Sequence, residues 1–387
     1  MPDVVIVDAI RTPVGRAFKG SLASLRPDET LAYVIDQLLE RNPGVDPSGV
    51  EEVIAGCGMP QGLQANNIAR VAVLLSEKLG AQTNGLTVSR YCASGLDAIR
   101  LAANNVAAGQ GDVYVASGVE FVSRYNEGNE AARPQDQNDQ LKGQDGHPDA
   151  YIAMGQTAEN VAERYGVTRE QQDSYAQRSQ ERAVAAQEQG VFDREIVAVK
   201  LADGTEVTKD DGPRASSTVE KLGALEPAFR PGGTVTAGNS CPLNDGAAAA
   251  LVMSAEQASE LGLKPRARVI TAATWGNEPE YMGVAPIGAV GKALDRAGMS
   301  ISDVDVYELN EAFAAQVLPI AEEVGFDMDK LNPHGGAIAL GHPFGMTGVR
   351  IMTTLLNDME TFDATIGLET MCVAGGQGEA MLVERLK

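Results

Sequence analysis

Cys92 stands at a corner. The stretch TVSRYCASGLDAIRLAANNV (87–106) enters on a short β-branched run and leaves with Leu96, Ile99, Ala103 and Val106 at helical spacing. A thiol at the start of that helix would meet unpaired backbone N–H groups and the positive end of the helix dipole. Both favour the thiolate, and the same N–H groups suit an oxyanion on an acyl group carried by the sulfur. Read alone, the corner equally suits a small buried apolar side chain. Cys372 ends an apolar run at MCVAGGQG and offers the same choice between a reactive thiol and a core cysteine. The chain has three histidines. His147 lies in a polar stretch and reads as a surface residue. His334 and His342 share NPHGGAIALGHPFG (332–345), a glycine-rich bend where backbone can approach a ligand. A cysteine nucleophile needs a base, and a neutral imidazole fits. His342, held between Gly341 and Pro343, is the candidate; His334 stays open. Asn310, in ELNEAF (308–313), falls at a strand-to-helix junction where capping is an amide's ordinary role.

These side chains need a scaffold of strand ends. Residues 4–9, 50–56, 86–89 and 112–120 read as strands, and Leu31, Val34, Ile35, Leu38 and Leu39 mark a helix over 31–40. The tail repeats the order: helix 287–298, strand 303–309, a glycine-rich turn 341–348, a helix carrying Met352, Leu355, Leu356 and Met359, then strands 365–373 and 379–385. Val53 to Cys92 and Val306 to Gly345 each span 39 residues. Two similar α/β halves with largely parallel pairing are expected. Cys92 and Cys372 would then take equivalent places in the two halves, with Cys92 the better thiolate because a helix follows it directly. Between the halves, residues 126–150 are a long polar excursion, helices follow over 155–189, and FRPGGTVTAGNSCPLNDGAAAALVM (229–253) returns to a strand. The segment 120–250 reads as an insertion that shapes a ligand site. Open α/β sheets bind ligands at the carboxyl ends of their strands.

The composition narrows the field. The 387 residues carry a net charge of −22, which argues against nucleic acid as a partner. No apolar run is long enough to span a bilayer, and the start MPDVVIVDAIRTPVG has no basic leader region. None of the four cysteines forms a C-x-x-C pair, so a zinc site is not expected, and with no leader region read at the start disulfides are not expected either. A cytoplasmic protein with reduced thiols is the expectation.

With these residues in place, the chain resembles the thiolase family. CASG at Cys92, NEAF at Asn310, GHP at Gly341–Pro343 and CVAGGQG at Cys372 occur in the family's order, alongside MGQTAE (154–159), GTVTAGN (233–239) and DGAAA (245–249). The resemblance implies a five-layered αβαβα fold of two similar halves with an inserted loop domain. The boundaries would be 1–119 and 251–268 for the first half, 120–250 for the coenzyme A-binding insertion, and 269–387 for the second half. It implies an acyl-CoA acyltransferase of fatty acid metabolism with coenzyme A as substrate, no other cofactor, and a homodimer or homotetramer. Carried over residue by residue, Cys92 would take the acyl group. His342 would activate it and help hold the thioester oxygen of the second substrate, with Asn310 fixing a water there. Cys372 would move the proton at the α-carbon. The amides of Cys92 and Ala374 would form the other oxyanion hole. Arg214, Ser240 and Cys241 fall where the family contacts coenzyme A, and Met154 and Met282 near the acyl pocket. Ser89 and His334 stand where the family usually has asparagine, Cys241 where serine is usual, and Ala374 where glycine is. The rival readings are a β-ketoacyl-synthase-like condensing enzyme and a non-catalytic acyl-CoA-binding homologue.

Overall fold

The computed structural model describes residues 3–127 and 137–387; residues 128–136 of the polar excursion lie outside the described residues. The first half contains β1 (Val4–Arg11), α1 (Pro27–Arg41), β2 (Glu52–Cys57), α2 (Ile68–Leu75), β3 (Asn84–Val88), α3 (Ser94–Ala107) and β4 (Val113–Phe121). Two helices of the intervening segment follow, α4 (Met154–Tyr165) and α5 (Arg169–Glu188), before β5 (Asn244–Ser254). The second half contains β6 (Ala267–Gly276), α6 (Ala285–Ala297), β7 (Val306–Leu309), α7 (Ala314–Val324), α8 (Phe344–Thr361), β8 (Ile366–Val373) and β9 (Gln377–Arg385). Local chemistry sets several boundaries. Pro27 opens α1 with Asp28 and Glu29 behind it, and Thr168 with Gln171 makes a capping box for α5. Gly375 and Gly376, at φ 78° and 80°, take the left-handed turn that joins β8 to β9.

The strands run in the order β7-β8-β9-β6-β1-β5-β4-β2-β3. Each half repeats one scheme. In the first, β3, β2 and β4 are mutually parallel, then β5 and β1 follow antiparallel. In the second, β7 and β8 are parallel, then β9 and β6 follow antiparallel. A single parallel bridge from Tyr307 to Leu331 stands where the first half has β3. The halves join through two residue pairs between β1 and β6. The pairing is therefore mixed and not largely parallel. The βαβ rhythm covers only part of each half; β9 returns on β8 through three residues, and such a tight turn allows only antiparallel pairing.

Alternation along the strands splits the core into layers. Val53, Val115 and Leu251 pack on α1 and α2, whereas Ile54, Ala116 and Val252 face inward. Leu368 and Leu382 pack on α6 and α7, whereas Met371 and Val383 face inward. The inward faces share α3 and α8, which gives five layers with those two helices in the middle. Every residue of α8 from Gly345 to Met359 is buried, so its apparent stripe understated how much of it is enclosed. The helices touch backbone to backbone: a Cβ at Gly348 would lie 2.1 Å from the Leu96 nitrogen, and one at Gly95 2.7 Å from the Gly345 oxygen.

Candidate active site

The crossing of α3 and α8 brings two chain corners together. Cys92 lies in a single 3₁₀ turn, Tyr91–Ala93, two residues before α3 begins. Ser94 secures that turn, its hydroxyl accepting from the Arg90 N–H (2.8 Å) and donating to the Tyr91 carbonyl (2.7 Å). His342 likewise lies two residues before α8. The counterpart of Cys92 in the second half is therefore His342, not Cys372. The two cysteines do not occupy equivalent places: Cys372 is the penultimate residue of β8, and its counterpart is the penultimate residue of β4.

His342 is buried and its ring is fixed. Thr347 Oγ1 donates to the Pro343 carbonyl (2.8 Å), so it accepts from His342 Nδ1 at 2.7 Å, which assigns the proton to Nδ1. Nε2 is left with its lone pair toward Asn310 Nδ2, 3.3 Å away. The His342 N–H donates to Asn244 Oδ1 (3.0 Å), and Gly341 at φ 109° lets the chain pass that amide, where a Cβ would come within 2.6 Å. Burial, with Arg350 nearby, pushes the imidazole pKa down to about 3, so the ring is neutral.

Cys92 is half-buried and Cys372 is buried. The expected easy thiolate at Cys92 is not found. Burial pushes its thiol well above the usual range, and Cys372, Cys241 and Glu120 nearby add to the push; the Ala374 N–H facing the sulfur opposes it. Burial likewise takes Cys372 up to about 12, against a hydrogen bond from Gln316 Nε2 to its sulfur at 2.8 Å. Met154, Met282, Phe313 and Cys241 pack with Cys372 in one apolar cluster. Cys241 thus packs beside Cys372 and does not line the cavity that holds Arg214 and Ser240, and burial raises its thiol to about 12.

Arg214 and Ser240 line a separate cavity of about 210 Å³ with Arg16 and Gln180. The Ser240 hydroxyl donates to the Thr236 carbonyl (2.6 Å). His334 is not brought to the site. It faces Asp358 on α8 (2.5 Å) and stacks on Phe362. Asp358 lies eleven residues beyond Thr347 on that helix, roughly 16 Å away at the rise of an α-helix. The tight turn at Gly335 (φ 80°) falls between His334 and His342, which lie eight residues apart in sequence.

Three buried residues were given no role by the sequence reading. Glu120 accepts from the N–H groups of Gly58, Met59 and Gly345 and from Gln64 Nε2, tying the exit of β2 to the first turn of α8. Glu311 accepts from Tyr175, Ser179, Asn332 and Ile338, tying the Asn310 loop to α5 and to the glycine-rich bend. Gln316 is the third. A lone acid or amide in an apolar stretch carries no periodic signal; only the NEAF motif pointed near Glu311.

Fold and site together define an acyl-transfer enzyme with two thiols, an imidazole and an amide at one crossing. Comparison with known proteins places it. The thiolase N-terminal domain profile matches residues 4–256 and the thiolase C-terminal domain profile residues 263–385. A 3-ketoacyl-CoA thiolase of Saccharophagus degradans is 45% identical over 99% of this chain and 98% of its own length. A beta-ketoadipyl-CoA thiolase of Pseudomonas aeruginosa is 45% identical over 99% of both chains. The crystal structure of the Bacillus anthracis acetyl-CoA acetyltransferase superposes with a TM-score of 0.91 at 38% identity, covering 100% of this chain and 99% of that one. The chain belongs to the thiolase family. It is an acyl-CoA C-acyltransferase, and the condensing-enzyme and non-catalytic alternatives are not favoured.

Proposed function

We propose that the protein catalyses reversible thiolytic cleavage of 3-ketoacyl-CoA, with Cys92 carrying the acyl group. In the cleavage direction His342 Nε2 takes the Cys92 proton as the sulfur attacks the 3-keto carbon. Burial disfavours the thiolate and the imidazolium separately, but side by side they offset part of each other's cost. The C2–C3 bond breaks and its electron pair becomes the enolate of the departing acyl-CoA. Cys372 gives its proton to C2. The His342 imidazolium then returns a proton to the Cys372 thiolate by way of solvent; neutral His342 takes the proton of coenzyme A as its sulfur attacks the Cys92 thioester and passes it to the departing Cys92 sulfur, and acyl-CoA leaves. The Ala374 and Cys92 N–H groups would hold the oxyanion at the acyl carbon, and Asn310 with His342 the enolate oxygen, by way of a water. No cofactor beyond coenzyme A is needed for this balance.

The observation that carries the proposal is the convergence of Cys92, Cys372 and the Ala374 amide at the crossing where α3 and α8 begin, with a fixed, neutral His342 two residues before α8. Acetoacetyl-CoA with coenzyme A tests it: cleavage with an acetyl adduct on Cys92 by intact mass and peptide mapping supports the reading, and turnover without a Cys92 adduct overturns it. The relatives differ in the acyl group they are named for. Met154, Met282 and Phe313 around Cys372 and Cys241 favour an aliphatic chain, because an ω-carboxylate there would lose its hydration without a partner. A 3-ketohexanoyl thioester should therefore outrun 3-oxoadipyl-CoA in kcat/KM. The Arg214 cavity on the inserted segment is our candidate for the coenzyme A phosphates. A homo-oligomer is our reading of β3, which ends the sheet beside exposed Leu74, Leu75, Leu86 and Tyr91. Sedimentation of Leu86→Lys should show a shift toward monomer.

A further inference from the structure

The internal repeat assigns a partner to Cys372. Glu120 and Cys372 are both penultimate in their strands, β4 and β8. Glu120 lies opposite Gly246 of β5, and Cys372 lies opposite Gly378 of β9. Gln64 and Gln316 each follow seven residues after the last residue of β2 and β7. The same 252 residues separate Gln64 from Gln316 and Glu120 from Cys372. In the first half Gln64 Nε2 donates to Glu120 Oε1 at 2.6 Å. In the second half Gln316 Nε2 donates to Cys372 Sγ at 2.8 Å. One scaffold thus places the same amide donor against a carboxylate in one half and against a thiol in the other.

We propose that Gln316 is a positioning residue for carbon–carbon bond cleavage and formation: its amide N–H holds the Cys372 sulfur and stabilises the thiolate left when Cys372 gives its proton to the substrate α-carbon. This rests on Cys372 being the proton-transfer group. The orientation of the amide follows from the repeat. In the first half the Phe121 N–H donates to Gln64 Oε1, which turns Nε2 to the anion. In the second half Gln316 Oε1 points away from the sulfur, is buried, and has no hydrogen-bond partner among the described residues. It rests against Gly283, where a Cβ would come within 2.5 Å of Oε1 and 2.9 Å of the Gln316 Cβ. An N–H toward sulfur favours the charged form; a carbonyl oxygen there would favour the thiol. The donor also counters the burial that holds the Cys372 thiol up.

Gln316→Met keeps the length and removes the donor; Gln316→Glu keeps the shape and offers no N–H when ionised. Gly283→Ala pushes the amide without touching either cysteine. Three quantities are read for each: acetylation of Cys92 by acetyl-CoA (intact mass), deuterium exchange at the acetyl-CoA methyl group in D2O, and acetoacetyl-CoA thiolysis. Loss of a hydrogen bond to a charged sulfur should slow exchange and thiolysis about 10- to 100-fold, with acetylation within about twofold of the native protein. In a Cys92→Ser background, alkylation of Cys372 at fixed pH should slow in the same variants, whereas mere loosening of the site would speed it. Unchanged exchange, or acetylation falling in step with it, overturns the proposal; so does faster alkylation. Cys372→Ala separates the two levels. If that variant exchanges protons at the native rate, the role of Cys372 fails; if it loses exchange while Gln316→Met keeps it, the role of Gln316 alone fails. Should Gln316→Met not fold, the Gln316→Glu and Gly283→Ala variants decide the same question through the same three quantities.

Discussion

The two cysteine corners are supported differently. Cys92 is half-buried at the approach to a helix, and its neighbouring donor is the Ala374 N–H, a backbone group from the other half of the molecule. Cys372 is buried near the end of a strand, and its donor is a side-chain amide from its own half. A backbone donor stays in place when side chains move, which suits an acyl carbon that must be held through two chemical steps. A side-chain donor beside a buried sulfur tunes how readily that sulfur parts with a proton. The contrast teaches that neither thiol is reactive by location alone, since burial raises both. Each works through what faces it.

The largest test removes one corner. Cys92→Ala should abolish acyl-enzyme formation altogether, read by intact mass after mixing with acetyl-CoA; a persisting adduct on Cys372 or Cys241 would break the comparison. Cys372→Ala should still acetylate Cys92 but lose the carbon–carbon step by about 10²–10⁴, the usual worth of a placed proton donor. Equal loss of both steps would merge the two roles. Next comes the crossing that sets the corners side by side. A Cβ at Gly348 would meet backbone at Leu96, so Gly348→Ala should cost about 3 kcal/mol in denaturant unfolding, at the upper end for overpacking.

The base makes a pH-dependent claim. The folded pKa of His342 is pushed from 6.5 down to about 3. Between those values the unfolded chain binds the proton and the folded chain does not. Its contribution to stability is therefore complete above pH 6.5 and falls as pH drops toward 3, by up to about 1.4 kcal/mol per unit. His342→Asn should flatten that acid slope, and an unchanged slope would place the buried imidazole elsewhere in the balance. The smallest effect belongs to Arg214→Ala. An exposed ion contact is worth about 1 kcal/mol or less, so KM for coenzyme A should rise about fivefold at low salt with acyl preference unchanged.

Much of this was legible in the sequence. The motif order fixed the family, and β-branched runs and helical stripes located β1, β2, β4, β8 and β9 to within two residues. The misreadings have physical causes. Strand direction is not written in a strand's own residues, so the mixed sheet was hidden until the turn at Gly375 and Gly376 was seen. The equivalence of Cys92 with Cys372 rested on residue type and glycine neighbours; topology pairs Cys92 with His342. His334 was drawn toward the site by closeness in sequence, which a positive-φ turn undoes. Glu120, Gln64 and Gln316 were silent because a buried polar residue is recognised by its partners, and those come from distant segments.

The shared middle layer also bears on how the chain is made. A ribosome releases β1 to β4 with α3 well before residues 244–254 complete the first sheet, and before residues 344–361 arrive to cover α3. Until then the inward face of that sheet, with Ile54, Ala116 and the exposed flank of α3, stands open to water and to other nascent chains. Neither half can close its own core, so the order of synthesis and the order of folding cannot coincide. The growing chain must stay soluble for most of its length and settle only after its C-terminal helix and hairpin have emerged. For a protein with a net charge of −22, mutual repulsion between unfinished copies helps to keep it apart during that interval.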